Sequence, residues 1–353
     1  MTRPSPILAA ALLLGGTAAH AQPKPVQAEV SAKTVRDDVY RKTSTVFPGG
    51  VTGLPDVEYA NVVGYRPLLL DLYLPPKTTQ AKARPLVIWI HGGGWNRGDS
   101  RTSGAFADWP AVLASLSARG YVVASVNYRL SAEARFPAAI QDVKASIRFL
   151  RANADKYGID VGRVIVWGGS AGGQLAALAA TSCGAAAFEP QPSLGRGSRE
   201  QGPAGGVYGA DAVKAAGVGA AASDCVQGAA IWYGALDLTT TTVTNLAAYL
   251  GCDPKICREV ADKAGPVAYV DASDPPMLLI QGLADRTVSP DQTRIMAAAM
   301  EKAGVPVETL YLPGADHGWL GATPEATRDA SLLALRRTFD FIDATAAKVR
   351  SAP

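Results

Sequence analysis

Three residues carry the most reactive combination of side chains in this chain: Ser170, Asp285 and His317. A serine hydroxyl is a weak nucleophile at neutral pH and needs a neighbouring base to take its proton. Histidine is the side chain whose ordinary pKa suits that work, and the chain has only 3 of them. His20 falls in an apolar N-terminal stretch, and His91 opens a glycine triplet, where its expected job is to hold the loop's shape. That leaves His317, in Gly314-Ala315-Asp316-His317-Gly318, as the candidate base. A carboxylate must then fix the imidazole in one tautomer. Asp285, in the segment QGLADRTV, follows an apolar run and precedes His317; Asp316, Asp253 and Asp237 are weaker candidates. The expected order along the chain is nucleophile, acid, base.

An alkoxide attacking a carbonyl creates a negative oxygen that needs hydrogen-bond donors. Gly92-Gly93-Gly94 offers backbone amides without side-chain obstruction, and the amide of Ala171 adjoins the serine. Gly93, Gly94 and Ala171 are therefore the candidate oxyanion hole. Trp95 and Trp319 flank these motifs and either wall an aromatic acyl pocket or pack in the core. Each motif alone has a bland reading: a glycine turn that contains a serine, a flexible glycine loop, a structural histidine. Their joint occurrence is what points to nucleophilic catalysis.

The elements needed to position these residues are legible around them. Residues 163–167 form a short apolar run, Gly168-Gly169 breaks it, and residues 171–180 are rich in Ala and Leu. That is strand, sharp turn and helix, with Ser170 on the turn. Further strands are expected at 86–91, 121–126, 226–232, 277–281 and 307–312, and helices at 105–118, 136–156, 291–303 and 324–344. This alternation predicts an α/β protein with a mostly parallel sheet covered by helices on both faces. Residues 57–63 and 68–74 suggest an opening antiparallel hairpin. One catalytic domain over 56–346 is expected, preceded by a polar arm at 22–55 and followed by a short tail at 347–353. Residues 184–222, rich in Gly, Ala and Pro, read as an insertion, a candidate lid.

The formal charge of +3 comes without a dense Lys/Arg run, so a nucleic-acid surface is not expected. Residues 1–21 combine Arg3, an apolar run from Ile7 to Gly16 and the small-x-small site Ala19-His20-Ala21. This is the pattern of a secretory signal peptide, so export to a periplasm or the medium is expected. The run is short for a bilayer span, and stable membrane insertion is not expected. Export makes disulfides possible. The 4 cysteines allow three connectivities; the expected pairs are Cys183–Cys225 and Cys252–Cys257, with a zinc site as the competing reading.

Together, His91-Gly92-Gly93-Gly94-Trp95, Asn127-Tyr128-Arg129-Leu130, Phe136-Pro137, Gly169-Ser170-Ala171-Gly172-Gly173, Asp285 and His317-Gly318 resemble the α/β-hydrolase superfamily in its hormone-sensitive-lipase-like esterase branch. The segments GYVVASVNYRLS, FPAAIQDVKASIRFLRANADKYGID, CVQGAAIWYG and LGCDPKIC are similar to the bacterial BD-FAE, or feruloyl esterase, group. The resemblance spans about residues 55–345. It implies an α/β-hydrolase fold and an acyl-enzyme mechanism on small-molecule or carbohydrate-linked esters, feruloyl and acetyl esters among them, without metal or organic cofactor. Residues 184–222 are longer than the usual connection there. The rival readings are a serine peptidase of the prolyl-oligopeptidase type and a non-catalytic hydrolase fold used for binding.

Overall fold

In the computed structural model, residues 43–77, 83–193 and 222–349 are described. The expected signal peptide at 1–21, most of the arm and residues 194–221 of the insertion lie outside them. Among the described residues, nine strands build one sheet: β1 (Thr45–Phe47), β2 (Val51–Ala60), β3 (Leu68–Leu74), β4 (Arg84–Ile90), β5 (Val122–Val126), β6 (Ile159–Gly169), β7 (Gly228–Trp232), β8 (Met277–Gly282) and β9 (Val307–Leu312). Their spatial order is β1-β2-β3-β5-β4-β6-β7-β8-β9. The first three strands run antiparallel to their neighbours; from β5 to β9 every pairing is parallel.

The central strands are apolar without a break because both of their faces are covered. Successive side chains alternate between two cores. Leu86, Ile88 and Ile90 of β4 point to one face with Val164, Val166 and Ile231. Val87 and Trp89 point to the other with Ile165, Trp167 and Trp232. The helices divide accordingly. α1 (Trp109–Ala118) lies on the tryptophan face, while α2 (Ala138–Ala152), the short α3 (Ala154–Tyr157) and α4 (Ala171–Thr181) follow on the opposite side. Two small helices, α5 (Leu246–Leu250) and α6 (Arg258–Ala264), precede α7 (Asp291–Ala303), and α8 (Pro324–Val349) closes the tryptophan face. There Trp89, Trp109, Trp167 and Trp232 meet with ring centroids 4.5 Å to 6.0 Å apart. They form a rigid apolar floor beneath the ends of β4, β6 and β7.

Several boundaries differ from the sequence expectation. The sequence places the polar arm up to residue 55, yet β1 and the first half of β2 already belong to the sheet. Edge strands are held by backbone pairing, here Phe47 to Val51 and Thr52 to Leu74, and need no apolar run. α1 starts at Trp109 rather than 105 because Asp108 caps it, accepting from the Ala111 amide, with Pro110 in the first turn. The expected tail from 347 instead continues α8 to Val349.

Both expected disulfides are present, Cys183–Cys225 and Cys252–Cys257, so no thiol is left to bind a metal. The first joins the two ends of the insertion. Beside it, buried Lys144 on α2 donates to the Ser182 carbonyl and to Asp224, and Arg148, one turn on, pairs with Glu189. Among the described residues, no helix is long and apolar enough to cross a membrane.

Candidate active site

Ser170 stands alone between the last residue of β6 and the first of α4, at φ 58° and ψ −121°. This backbone conformation costs a non-glycine residue roughly 1–3 kcal/mol. It is held by the Ser170 amide donating to Trp232 O at 2.9 Å and by Ser170 O accepting from the Gln174 amide at 3.0 Å. The flanking glycines are steric necessities. A Cβ on Gly168 would lie 2.1 Å from Gly172 O, and one on Gly172 would lie 2.0 Å from Ile90 O. The first turn of α4 is thus pressed directly onto the ends of β4 and β6, and the serine projects from the crest.

The loops after β8 and β9 supply its partners. His317 Nε2 is 2.9 Å from Ser170 Oγ, and His317 Nδ1 is 2.9 Å from Asp285 Oδ2. With the proton on Nδ1, the ring donates to Asp285 and accepts from the serine hydroxyl. The Asp285 side chain is 0 % exposed. Its Oδ2 also accepts from Gln281 Nε2 at 3.0 Å, and its Oδ1 accepts from the amides of Thr287 and Val288, both at 2.9 Å. Four donors converge on one carboxylate and hold it in place, aimed at the imidazole. Asp316, adjacent to the histidine in sequence, is not its ring partner. It accepts from the His317 and Arg286 amides and the Arg286 guanidinium, which hold its carboxyl below the ordinary 3.8 at about 2.

The glycine loop lies against the serine, since a Cβ on Gly92 would come within 3.2 Å of Ser170 Cβ. Gly93 and Gly94 have φ of 110° and 60°, and Ala171, as the first residue of α4, has no intrahelical acceptor for its amide. His91 holds the loop rather than joining the reaction centre. Its ring stacks on Tyr128 at 4.3 Å, its Nδ1 lies 2.7 Å from Gly92 O, and burial pushes its pKa down to about 4.

The reading of Trp95 and Trp319 as pocket walls is corrected: both are buried, at 1 % and 0 % exposure. Trp95 stacks on Tyr249 at 4.5 Å and donates from Nε1 to Gln174 Oε1 at 2.9 Å; Trp319 packs edge-on against Trp232 and Tyr233. They brace the loops from beneath. Two neighbours of the site escaped the sequence reading. Tyr233, at φ 36°, sets its ring 4.7 Å from that of His317, and nothing in its local sequence marks it. Gln281 does leave a trace, as a lone amide ending the apolar strand four residues before Asp285.

A mostly parallel sheet of this order, with a serine elbow after β6 and Asp285 and His317 on the loops after β8 and β9, defines an α/β-hydrolase. The family profile described as BD-FAE matches residues 70–300, and the chain belongs to that family. It is 30 % identical to Esterase LipQ of Mycobacterium tuberculosis over 269 residues, covering 74 % of this chain and 56 % of that protein. Against Esterase LipC of the same organism it is 32 % identical, covering 71 % of this chain and 57 % of the relative. The chain therefore spans just over half the length of these curated relatives. Among solved structures, a truncated carbohydrate esterase from gut microbiota superposes with a TM-score of 0.64 at 26 % identity, covering 87 % of this chain and 99 % of that one. Native esterase 2 of Thermogutta terrifontis shares the fold, with a TM-score of 0.60 at 24 % identity over 81 % of this chain and 90 % of its own.

Proposed function

We propose that this chain is an exported serine hydrolase of carboxylic esters, acting through an acyl-enzyme on Ser170. The observation that carries the reading is His317 bridging Ser170 and buried Asp285 with two contacts of 2.9 Å. His317 Nε2 takes the Ser170 proton as Oγ attacks the ester carbonyl, and Asp285 stabilises the resulting imidazolium. The amides of Gly93, Gly94 and Ala171 receive the oxyanion, which forms only in the transition state and the intermediate, so their binding lowers the barrier. His317 then protonates the departing alcohol. It next takes a proton from water as the water oxygen attacks the acyl carbon, then gives that proton to Ser170 Oγ as the acyl–oxygen bond breaks, releasing the carboxylic acid and free Ser170.

The substrate class is an ester of a small aromatic or acetyl acid with a carbohydrate alcohol. The likeness to a carbohydrate esterase supports it, as does the resemblance to the feruloyl esterase group. The leader-like residues 1–21 and two disulfides support export. A panel of methyl ferulate, acetylated xylan, p-nitrophenyl acetate through decanoate and a chromogenic dipeptide tests the reading. Turnover of ferulate or acetylated xylan well above that of the long-chain esters is expected. Peptide cleavage without ester turnover would overturn it in favour of a peptidase.

A further inference from the structure

Asn245 occupies the N-cap position of α5, where an asparagine ordinarily accepts a hydrogen bond from the first-turn amides. Here its side chain makes no such bond. Instead the carboxamide is turned onto the glycine loop: a Cβ built on Gly94 would lie 2.6 Å from Asn245 Nδ2. With φ of 60° and no side chain, Gly94 leaves the space the amide uses. The side chain is half-buried, and its Nδ2 has no hydrogen-bond partner among the described residues. At this half-exposed position its two N–H groups are open to water or to a ligand on the glycine loop.

The position is rigid. Tyr249, one turn along α5, donates its amide to Asn245 O at 3.1 Å and stacks on Trp95 at 4.5 Å, and Trp95 is anchored to Gln174 of α4. The helix that carries Asn245 is therefore clamped to the same loop that carries Gly93 and Gly94, and to the helix that follows Ser170. Segment 239–244, with Thr at every position but Val243, leads into it as a polar rim.

We infer that Asn245 is a further catalytic residue, a side-chain donor beside the glycine loop that shares the negative charge developing on the ester carbonyl oxygen. This rests on the ester-hydrolase reading. It differs from a general polar contact in one respect: the group it serves is anionic in the transition state and neutral in the bound ester. Removing the donor then lowers kcat and leaves KM nearly unchanged, and placing a carboxylate there is worse than placing an alkyl group.

The test is the turnover of p-nitrophenyl acetate by wild type, N245L, N245D and S170A. Leucine is close to asparagine in size, and both Asn245 variants sit at a half-exposed site that tolerates them. A loss of roughly 10²-fold in kcat is expected for N245L, with KM within about threefold, and a larger loss for N245D. If S170A is inactive while N245L and N245D keep wild-type kcat, or lose only KM, the role of Asn245 is overturned and the esterase reading stands. An N245D variant at least as active as N245L overturns it equally. If wild type and S170A are alike, the esterase reading falls, and the inference with it.

Discussion

Replacing Asp285 by Asn probes the hydrogen-bond arithmetic of the site. The carboxylate meets four donors, two on each oxygen: Thr287 and Val288 amides on Oδ1, His317 Nδ1 and Gln281 Nε2 on Oδ2. A carboxamide has one acceptor oxygen, so its NH2 must face two donors whichever way it sits. Placed at Oδ1, it opposes two backbone amides that cannot turn away, leaving the buried Val288 donor unmet at about 1–3 kcal/mol and the part-buried Thr287 donor unmet as well. Placed at Oδ2, it opposes groups that can adjust, because the imidazole can move its proton to Nε2 and accept on Nδ1. The second arrangement costs less in folding, and its imidazole has no free Nε2 lone pair to receive the serine proton. Asp285→Asn should therefore fold, with a modest fall in Tm, and lose about 10⁴-fold in kcat, equivalent to ~5 kcal/mol of barrier. Steady-state turnover of p-nitrophenyl acetate with thermal unfolding on the same preparation reads both effects. A variant that keeps more than a tenth of wild-type kcat would refute the reasoning, because His317 would then not depend on the carboxylate.

Gly172→Ala puts a methyl carbon about 2.0 Å from Ile90 O and 2.5 Å from His91 O, contacts with backbone that no rotamer relieves. A loss of roughly 1–3 kcal/mol or more is expected in urea unfolding, with activity falling as the elbow separates from the glycine loop; wild-type stability and activity together would contradict it. His91 gives a pH dependence. Its pKa is about 4 when folded against the ordinary 6.5, so the unfolded chain binds the proton first and stability falls as pH drops from 6.5 to 4. The full effect is roughly 3 kcal/mol. His91→Gln should remove that slope from the unfolding free energy measured between pH 7 and 4, and an unchanged slope would show that another group titrates there.

How much of this was legible in the sequence depended on what each feature rests on. The central strands announce themselves because burial on both faces requires unbroken apolar runs, as in residues 86–90. The elbow is legible because only glycine tolerates the contacts at 168 and 172. β1 and the start of β2 were hidden, since edge pairing uses backbone groups that every residue carries. Trp95 and Trp319 stayed ambiguous because a tryptophan beside a reactive motif looks the same in sequence whether it faces the pocket or the core. The ring of donors around Asp285 and the turn of Asn245 onto Gly94 come from loop geometry between distant segments. Neither leaves a periodic trace.

The proposed chemistry rests on Ser170 as a nucleophile activated by His317. Reaction of the purified protein with a fluorophosphonate, followed by peptide mass spectrometry, tests it most directly. A single covalent adduct on Ser170, abolished in His317→Ala, is expected. An unmodified Ser170, or an adduct confined to a different serine, would contradict it.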